Sequence, residues 1–178
     1  MEQFREKRKG VLFVNTLRDE VYRSSIEAGL ALKFSLYQKI ETSLKTGYSH
    51  FYLYDPGWFE IYASDVLSVI KEYFPHMKVH LVLSKTYFAQ YFFQDAIFLK
   101  KYARMSENVD ETVFQQTFED AVPADYLYNR CGLVIGAYWE IQALTNPYLK
   151  KIKNRINVRR EYRRACRRLR RCQKGGML

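Results

Sequence analysis

The chain has 178 residues, of which 48% are hydrophobic and 27% are charged, and its net charge is +10. This composition is typical of one folded domain with a core and excludes a disordered chain. No apolar run approaches the roughly 18 residues that a membrane-spanning helix needs, and the first one, Val11–Val14, is too short for a signal peptide. The three cysteines show no paired pattern, so we expect free thiols and a cytoplasmic protein.

Short β-rich runs alternate with helical patterns along the chain. In chain order we predict a strand at Val11–Asn15, a helix at Ile26–Thr46, a strand at His50–Tyr54, a helix at Trp58–Phe74, a strand at Lys78–Leu83, a helix at Thr86–Met105, a strand at Glu111–Phe114, a short helix at Ala124–Asn129, a strand at Leu133–Tyr138 and a helix from about Lys150 to Arg171. This alternation predicts a single doubly wound, Rossmann-like α/β domain, with a mainly parallel five-stranded sheet and helices on both faces.

Two of the predicted helices have regular apolar patterns. In Ile26–Thr46 the apolar residues fit a helical period and stand at Ile26, Leu30, Phe34, Tyr37, Ile40 and Leu44. In Thr86–Met105 one face carries Phe88, Tyr91, Phe92 and Leu99, and such a face normally packs on the sheet. The aromatic run could instead stack on bases, and Tyr87 and Phe93 lie off this face, where they could contact a partner if they are exposed.

Polar residues follow the first two predicted strands, at the edge where parallel α/β sheets bind ligands. Arg18 follows the first strand and either holds an anion or is a solvated loop residue. The turn Asp55-Pro56-Gly57 and then Glu60 follow the second strand. This turn either faces a ligand or only caps the next helix, with Asp55 as N-cap or with Gly57 as N-cap and Glu60 as the acid of the first turn.

The segment from Leu44 to Leu83 resembles the YpsA-like proteins of the SLOG superfamily, a group of Rossmann-type folds that includes DprA and LOG proteins. The matching positions are Gly47-Tyr48, Gly57, Glu60, Ala63-Ser64, Tyr73-Phe74-Pro75 and Val79–Leu83, and Arg18 is all that matches the strand-one motif. The resemblance implies a nucleotide or ADP-ribose-like ligand in a cleft that is lined by Arg18, Asp55, Gly57 and Glu60.

Several family features are absent from this sequence. The family turn has several glycines, whereas this turn has Gly57 alone, beside Pro56, which has no N–H to offer a phosphate. The Arg-Asn pair, the late Gly-Gly-Thr motif and the Pro-Gly-Gly-x-Gly-Thr signature of LOG enzymes are missing too. We therefore expect a degenerate ligand pocket and no catalysis. As an alternative, the resemblance to LOG enzymes suggests a nucleotide N-glycosidase with Glu60 as its catalytic acid or nucleophile.

The sequence predicts no metal site and no cofactor other than such a nucleotide. His50, His76 and His80 have no cysteine or acid at the spacing of metal ligands. There is also no Gly-x-Ser-x-Gly motif for a nucleophilic serine.

The positive charge is concentrated near the carboxyl terminus. Residues 150–178 contain thirteen basic residues and one acid, Glu161, so residues 1–149 are close to neutral. This asymmetry predicts a Rossmann-like SLOG-type domain in residues 1–149 and a basic helix in residues 150–178 that attracts a polyanion. The helix has an apolar stripe at Val158, Tyr162, Ala165, Leu169 and Cys172, by which we expect its first half to pack on the domain.

Eight arginines cover the rest of this helix: Arg159, Arg160, Arg163, Arg164, Arg167, Arg168, Arg170 and Arg171. Their face either stays solvated or binds a nucleic acid or an acidic protein surface, and nucleic-acid binding through it is the alternative function. We do not expect a membrane partner, because the single apolar stripe cannot serve both docking and insertion. The sequence leaves homo-oligomerisation open.

Overall fold

The computed structural model of the chain describes residues 8–87, 89, 94–114 and 123–175. The strands in these residues are β1 (Gly10–Asn15), β2 (His50–Tyr54), β3 (Lys78–Leu83), β4 (Glu111–Phe114), β5 (Cys131–Ala137) and β6 (Asn154–Asn157). The helices are α1 (Glu20–Arg23), α2 (Ile26–Lys45), α3 (Trp58–Lys71), α4 (Ala96–Glu107), α5 (Pro123–Arg130), α6 (Pro147–Lys151) and α7 (Arg159–Gly175), with a 3-10 helix at Glu140–Leu144. None of the helices described is both long and apolar enough to cross a membrane.

The strands form one sheet in the order β4-β3-β2-β1-β5-β6, and every neighbouring pair is parallel. The chain starts at β1, moves outward to β4 and then returns to the other side of β1 with β5. The predicted α/β class, with a parallel sheet flanked by helices, is confirmed. The sheet has six strands where five were predicted.

The additional strand is β6, which lies inside the helix predicted from Lys150 to Arg171. The predicted helix is wrong in this part because the chain leaves α6 at Lys151 and pairs Asn154–Asn157 with Leu133–Gly136 of β5. Asparagine is a poor helix former, and two of the four β6 residues are asparagines. The helical part of the basic segment is therefore α7.

Side chains on alternate strand positions fill a hydrophobic layer on each face of the sheet. In β1, Val11 and Phe13 point to the layer that is covered by α2, α3, α4 and α7. Leu12 and Val14 point to the opposite layer, which is covered by α5, the 3-10 helix and α6. The apolar runs of the sequence are strands because both of their faces are buried.

The helix α2 buries a different face from the one that its largest side chains mark. Ile26 and Phe34 are 79% and 58% exposed, whereas Leu32 and Leu36 have no exposed surface. An amphipathic helix usually turns its bulky stripe toward the core. Here α2 packs against both α3 and α7, and the smaller residues on its buried side, such as Ala31, allow that close contact.

The helix α4 begins later than the predicted Thr86–Met105. Asp95 is its N-cap and accepts a hydrogen bond from the Phe98 N–H at 2.8 Å. Tyr87 is buried, and its hydroxyl donates to the Pro56 carbonyl at 2.7 Å, so it is not available as a partner surface. The other aromatic residues of the predicted run, Phe88, Tyr91, Phe92 and Phe93, lie outside the described residues.

The orientation of α2 can be tested with two substitutions on opposite sides of the helix. Leu36→Ala should lower the free energy of unfolding by about 2–5 kcal/mol, because it leaves a cavity in a closed layer. Phe34→Ala should change it by only about 0.5 kcal/mol, because this side chain is mostly in solvent. Urea unfolding of both variants measures the difference. Equal losses would mean that α2 buries the face of its large residues.

Candidate functional site

The connections of the sheet open a crevice between the carboxyl ends of β1 and β5. After β1 the chain turns toward α1 and α2 on one face, and after β5 it turns toward the 3-10 helix and α6 on the other face. Ligands of parallel α/β sheets bind in such a crevice. The crevice encloses about 370 Å³, and we name it the switch-point cleft. Its lining residues are Thr16, Leu17, Arg18, Val21, Trp139, Gln142, Arg159, Tyr162 and Arg163.

Hydrogen bonds fix the two walls of the switch-point cleft relative to each other. The Gln142 side-chain oxygen accepts from the Thr16 hydroxyl and from the Trp139 N–H, the latter at 3.1 Å. The Thr16 N–H also donates to the Ala137 carbonyl at 3.1 Å. The loops that follow β1 and β5 are thus held together by the protein itself, and the cleft does not depend on a ligand for its shape.

Two arginines of α7 reach this cleft because α7 begins directly after β6. The Asn157 side chain accepts from the Arg159 N–H at 3.1 Å and donates to the Tyr138 carbonyl at 3.0 Å, so the start of α7 is tied to the end of β5. The guanidinium carbon of Arg159 lies 3.0 Å from the centre of the Trp139 ring, and that of Arg163 lies 5.1 Å away. Stacking of this kind orients a guanidinium while leaving its N–H groups at the edges free to bind.

The charge of these arginines is incompletely satisfied within the protein. Desolvation, followed by the nearby charge of Arg163, lowers the pKa of Arg159. Nη2 of Arg159 is buried and has no hydrogen-bond partner among the described residues. A buried donor without a partner costs about 1–3 kcal/mol, so an anion in the cleft would be stabilised at this position.

A second pocket of about 370 Å³ lies beyond the carboxyl ends of β1 and β2, and we name it the acidic pocket. Asp19, Asp55 and Glu60 line it together with Gly57 and Asn15. Burial raises the pKa of all three carboxyl groups, and it raises that of Glu60 to about 8. Carboxyl groups accept hydrogen bonds from hydroxyls but repel phosphate, so this pocket suits a sugar better than an anion.

The turn before α3 has the second of the two predicted caps. Gly57 is the N-cap, and its N–H donates to Oε2 of Glu60 at 2.9 Å. Asp55 does not cap α3. Its Oδ1 accepts from the Ser84 N–H at 2.7 Å, and its backbone adopts a left-handed φ of 41°. An N–H that a glycine turn could offer to a phosphate is therefore already used by Glu60.

The structure divides the predicted ligand residues between the two pockets. Arg18 lines the switch-point cleft, whereas Asp55, Gly57 and Glu60 line the acidic pocket. The loop between β1 and α1 separates the pockets, since its Arg18 belongs to one and its Asp19 to the other. The sequence reasoning missed Trp139, Gln142 and Asp19, although Trp139 stands just after the last predicted strand, where a ligand residue of a parallel sheet is expected.

The predicted polyanion-binding arginines lie on α7. Arg159 is half-buried against Trp139, and the others are exposed. The exposed ones, which we name the arginine face, are Arg160, Arg163, Arg164, Arg167, Arg168, Arg170 and Arg171. Among the described residues, none of them forms a salt bridge with a carboxylate.

The histidines lie away from both pockets. Nδ1 of His50 is 2.9 Å from Nε2 of His80, whose Nδ1 is 2.9 Å from Oε2 of Glu111. This chain of hydrogen bonds runs across β2, β3 and β4 rather than beyond their carboxyl ends. Within the described ranges, no group of three or more His, Cys, Asp or Glu residues could hold a metal ion.

Two comparisons with known proteins complete the description of the site. No protein-family model matches the chain, and no curated protein matches it. The resemblance to YpsA-like proteins stays a prediction. The functional argument therefore depends on the geometry of the two pockets and of α7.

The burial of Glu60 predicts a pH dependence of stability. Its pKa of about 8 lies above its ordinary value, so the folded protein keeps a proton that the unfolded chain releases from about pH 5 upward. The contribution of this proton is fully present at low pH and is lost as the pH rises through about 8. Between these limits Glu60→Gln should remove a decline on the order of 1 kcal/mol per pH unit.

Urea unfolding at pH 5, 6, 7 and 8 measures this effect. Glu72→Gln, at an exposed position just after α3, is the matched control and should keep the slope of the unsubstituted protein. Parallel curves for all three proteins would show that Glu60 does not carry the proton.

Proposed function

We propose that this chain is a Rossmann-like binding protein for a nucleotide or a nucleotide-derived anion, and that it has no catalytic activity of its own. The observation that carries the proposal is the convergence of Arg18, Arg159 and Arg163 on the switch-point cleft. None of the nine residues that line this cleft is acidic. Arginine binds phosphate through two parallel N–H bonds, and three such groups in one cleft favour a phosphate or diphosphate.

The remaining surfaces of the two pockets suit the rest of a nucleotide. Leu17 and Val21 give the switch-point cleft apolar walls. Across the β1–α1 loop, Asp19 and Asn15 of the acidic pocket offer oxygen acceptors at a place that repels phosphate. A ligand with its phosphate in the cleft and its ribose hydroxyls toward the acidic pocket would satisfy both. This arrangement assigns the phosphate to α7 rather than to the N-terminus of α3.

The absence of catalysis is part of the proposal and concerns Glu60 above all. Glu60 is only 6% exposed, and one of its oxygens is engaged by the Gly57 N–H. Capping of α3 is sufficient to explain an acid at this position. We therefore expect no release of base from nucleoside monophosphates. Turnover by the purified protein that disappears in Glu60→Gln would contradict this part of the proposal and favour the N-glycosidase alternative.

Calorimetry with adenosine, AMP, ADP and ADP-ribose tests the binding. AMP should bind about 10-fold to 100-fold more tightly than adenosine, because charge-assisted hydrogen bonds to the phosphate contribute about 1.5–3 kcal/mol each. The double variant Arg18→Ala/Arg163→Ala should lose a similar factor for AMP and nothing for adenosine.

Arg160→Ala is the matched control, since Arg160 is a neighbouring arginine that does not line the switch-point cleft. It should bind AMP as the unsubstituted protein does. If none of the four compounds binds, or if adenosine binds as tightly as AMP, the cleft is not a nucleotide-phosphate site.

A further inference from the structure

The apolar side of α7 is used to attach the helix to the domain. Val158 and Tyr162 are buried, and Ala165 and Cys166 are partly buried against the same layer. The Tyr162 hydroxyl donates to the Val21 carbonyl at 2.8 Å, which ties this side of α7 to α1. An interfacial membrane helix needs a free apolar face. The described apolar residues in the first half of α7 leave no such face.

The opposite side of α7 has charge without compensation. Glu161, the one acid of α7, lies on the docked side, 3.4 Å from Lys39 of α2. The exposed side holds the arginine face, in which Arg160 and Arg164, and likewise Arg164 and Arg168, are spaced i,i+4. Like charges at this spacing destabilise a helix by a few tenths of a kcal/mol for each pair. A partner with regularly spaced negative charges would remove this repulsion.

The positive surface is continuous from the switch-point cleft along α7. A groove of about 420 Å³ lies beside the start of the helix and is lined by Glu140, Asn157, Arg159, Arg160, Arg163, Arg164 and Arg167. Arg159 and Arg163 line both this groove and the switch-point cleft. Beyond the groove, Arg168 and Arg171 continue the exposed charge toward the end of α7.

We propose that the arginine face binds the phosphate backbone of a nucleic acid. A stable protein interface usually has an apolar or aromatic centre, and the exposed side of α7 offers arginines alone. Backbone binding to a nucleic acid requires only cations and donors along a line. The 17 residues of α7 extend about 25 Å, which matches roughly seven base-pair steps of duplex. This inference goes beyond nucleotide binding and does not depend on it.

Fluorescence anisotropy with a labelled 20-base-pair DNA duplex, at 50, 100 and 200 mM NaCl, tests the proposal. The full chain should lose roughly 100-fold to 1,000-fold in affinity over this range, as expected for about four or five neutralised phosphates. Arg164→Glu/Arg168→Glu should bind at least about tenfold more weakly at 100 mM NaCl, and its salt slope should fall by about two.

The matched control is Lys100→Glu/Arg104→Glu, which reverses an exposed i,i+4 pair on α4 and changes the net charge equally. It should keep the affinity of the unsubstituted chain. Equal losses for the two double variants would show that only net charge matters and would overturn the proposal. If Arg164→Glu/Arg168→Glu does not fold, as judged by circular dichroism, Arg164→Gln/Arg168→Gln takes its place with the same expectation.

Two further probes separate nucleic acid from the other polyanions. Poly-glutamate at the same concentration of negative charge, and vesicles containing phosphatidylserine, should bind at least about tenfold more weakly than the duplex at 100 mM NaCl. Binding of either probe as tightly as DNA would overturn the proposal. Arg164 and Arg168 do not line the switch-point cleft, so the variant should bind AMP like the unsubstituted protein even if nucleotide binding itself is absent from both.

Discussion

The position of β1 between β2 and β5 is the constraint on which the rest of the molecule depends. Both edges of β1 are paired and both faces are covered, so its apolar residues contact both hydrophobic layers. Because the chain extends the sheet from β1 in one direction and later in the other, the loops that follow β1 and β5 must separate. The switch-point cleft is the space that this separation leaves. Its location is a consequence of strand order, before any side chain is considered.

The sequence was sufficient for the strands that are buried on both faces, since each is a short apolar run between turn signals. It was insufficient for β6, whose residues Asn154–Asn157 have little apolar character and become a strand only by pairing with β5. It was also insufficient for the orientation of α2, because that helix has apolar residues on two faces and periodicity does not show which one its neighbours cover. Both cases required knowledge of tertiary contacts.

The site could be predicted only in part for the same reason. Local patterns placed Arg18, Asp55, Gly57 and Glu60 after the first two strands, and they lie there. Which of them share a pocket depends on the strand that adjoins β1 on its other side, and no local pattern gives that order. Trp139 and Arg159 belong with Arg18 because β5 and β6 bring them there, from more than a hundred residues later in the chain.

The edges of the sheet give β6 a second significance. A strand at the edge presents unpaired backbone groups, on which another chain can add by forming β-structure. Both edge strands here, β4 and β6, are only four residues long, and β6 carries the long cationic side chain of Arg155, whose guanidinium donates to the Leu149 carbonyl at 2.9 Å. Short length and positive charge both discourage pairing with a foreign strand. The basic character of this region thus begins before α7, and at β6 it protects the folded protein against aggregation.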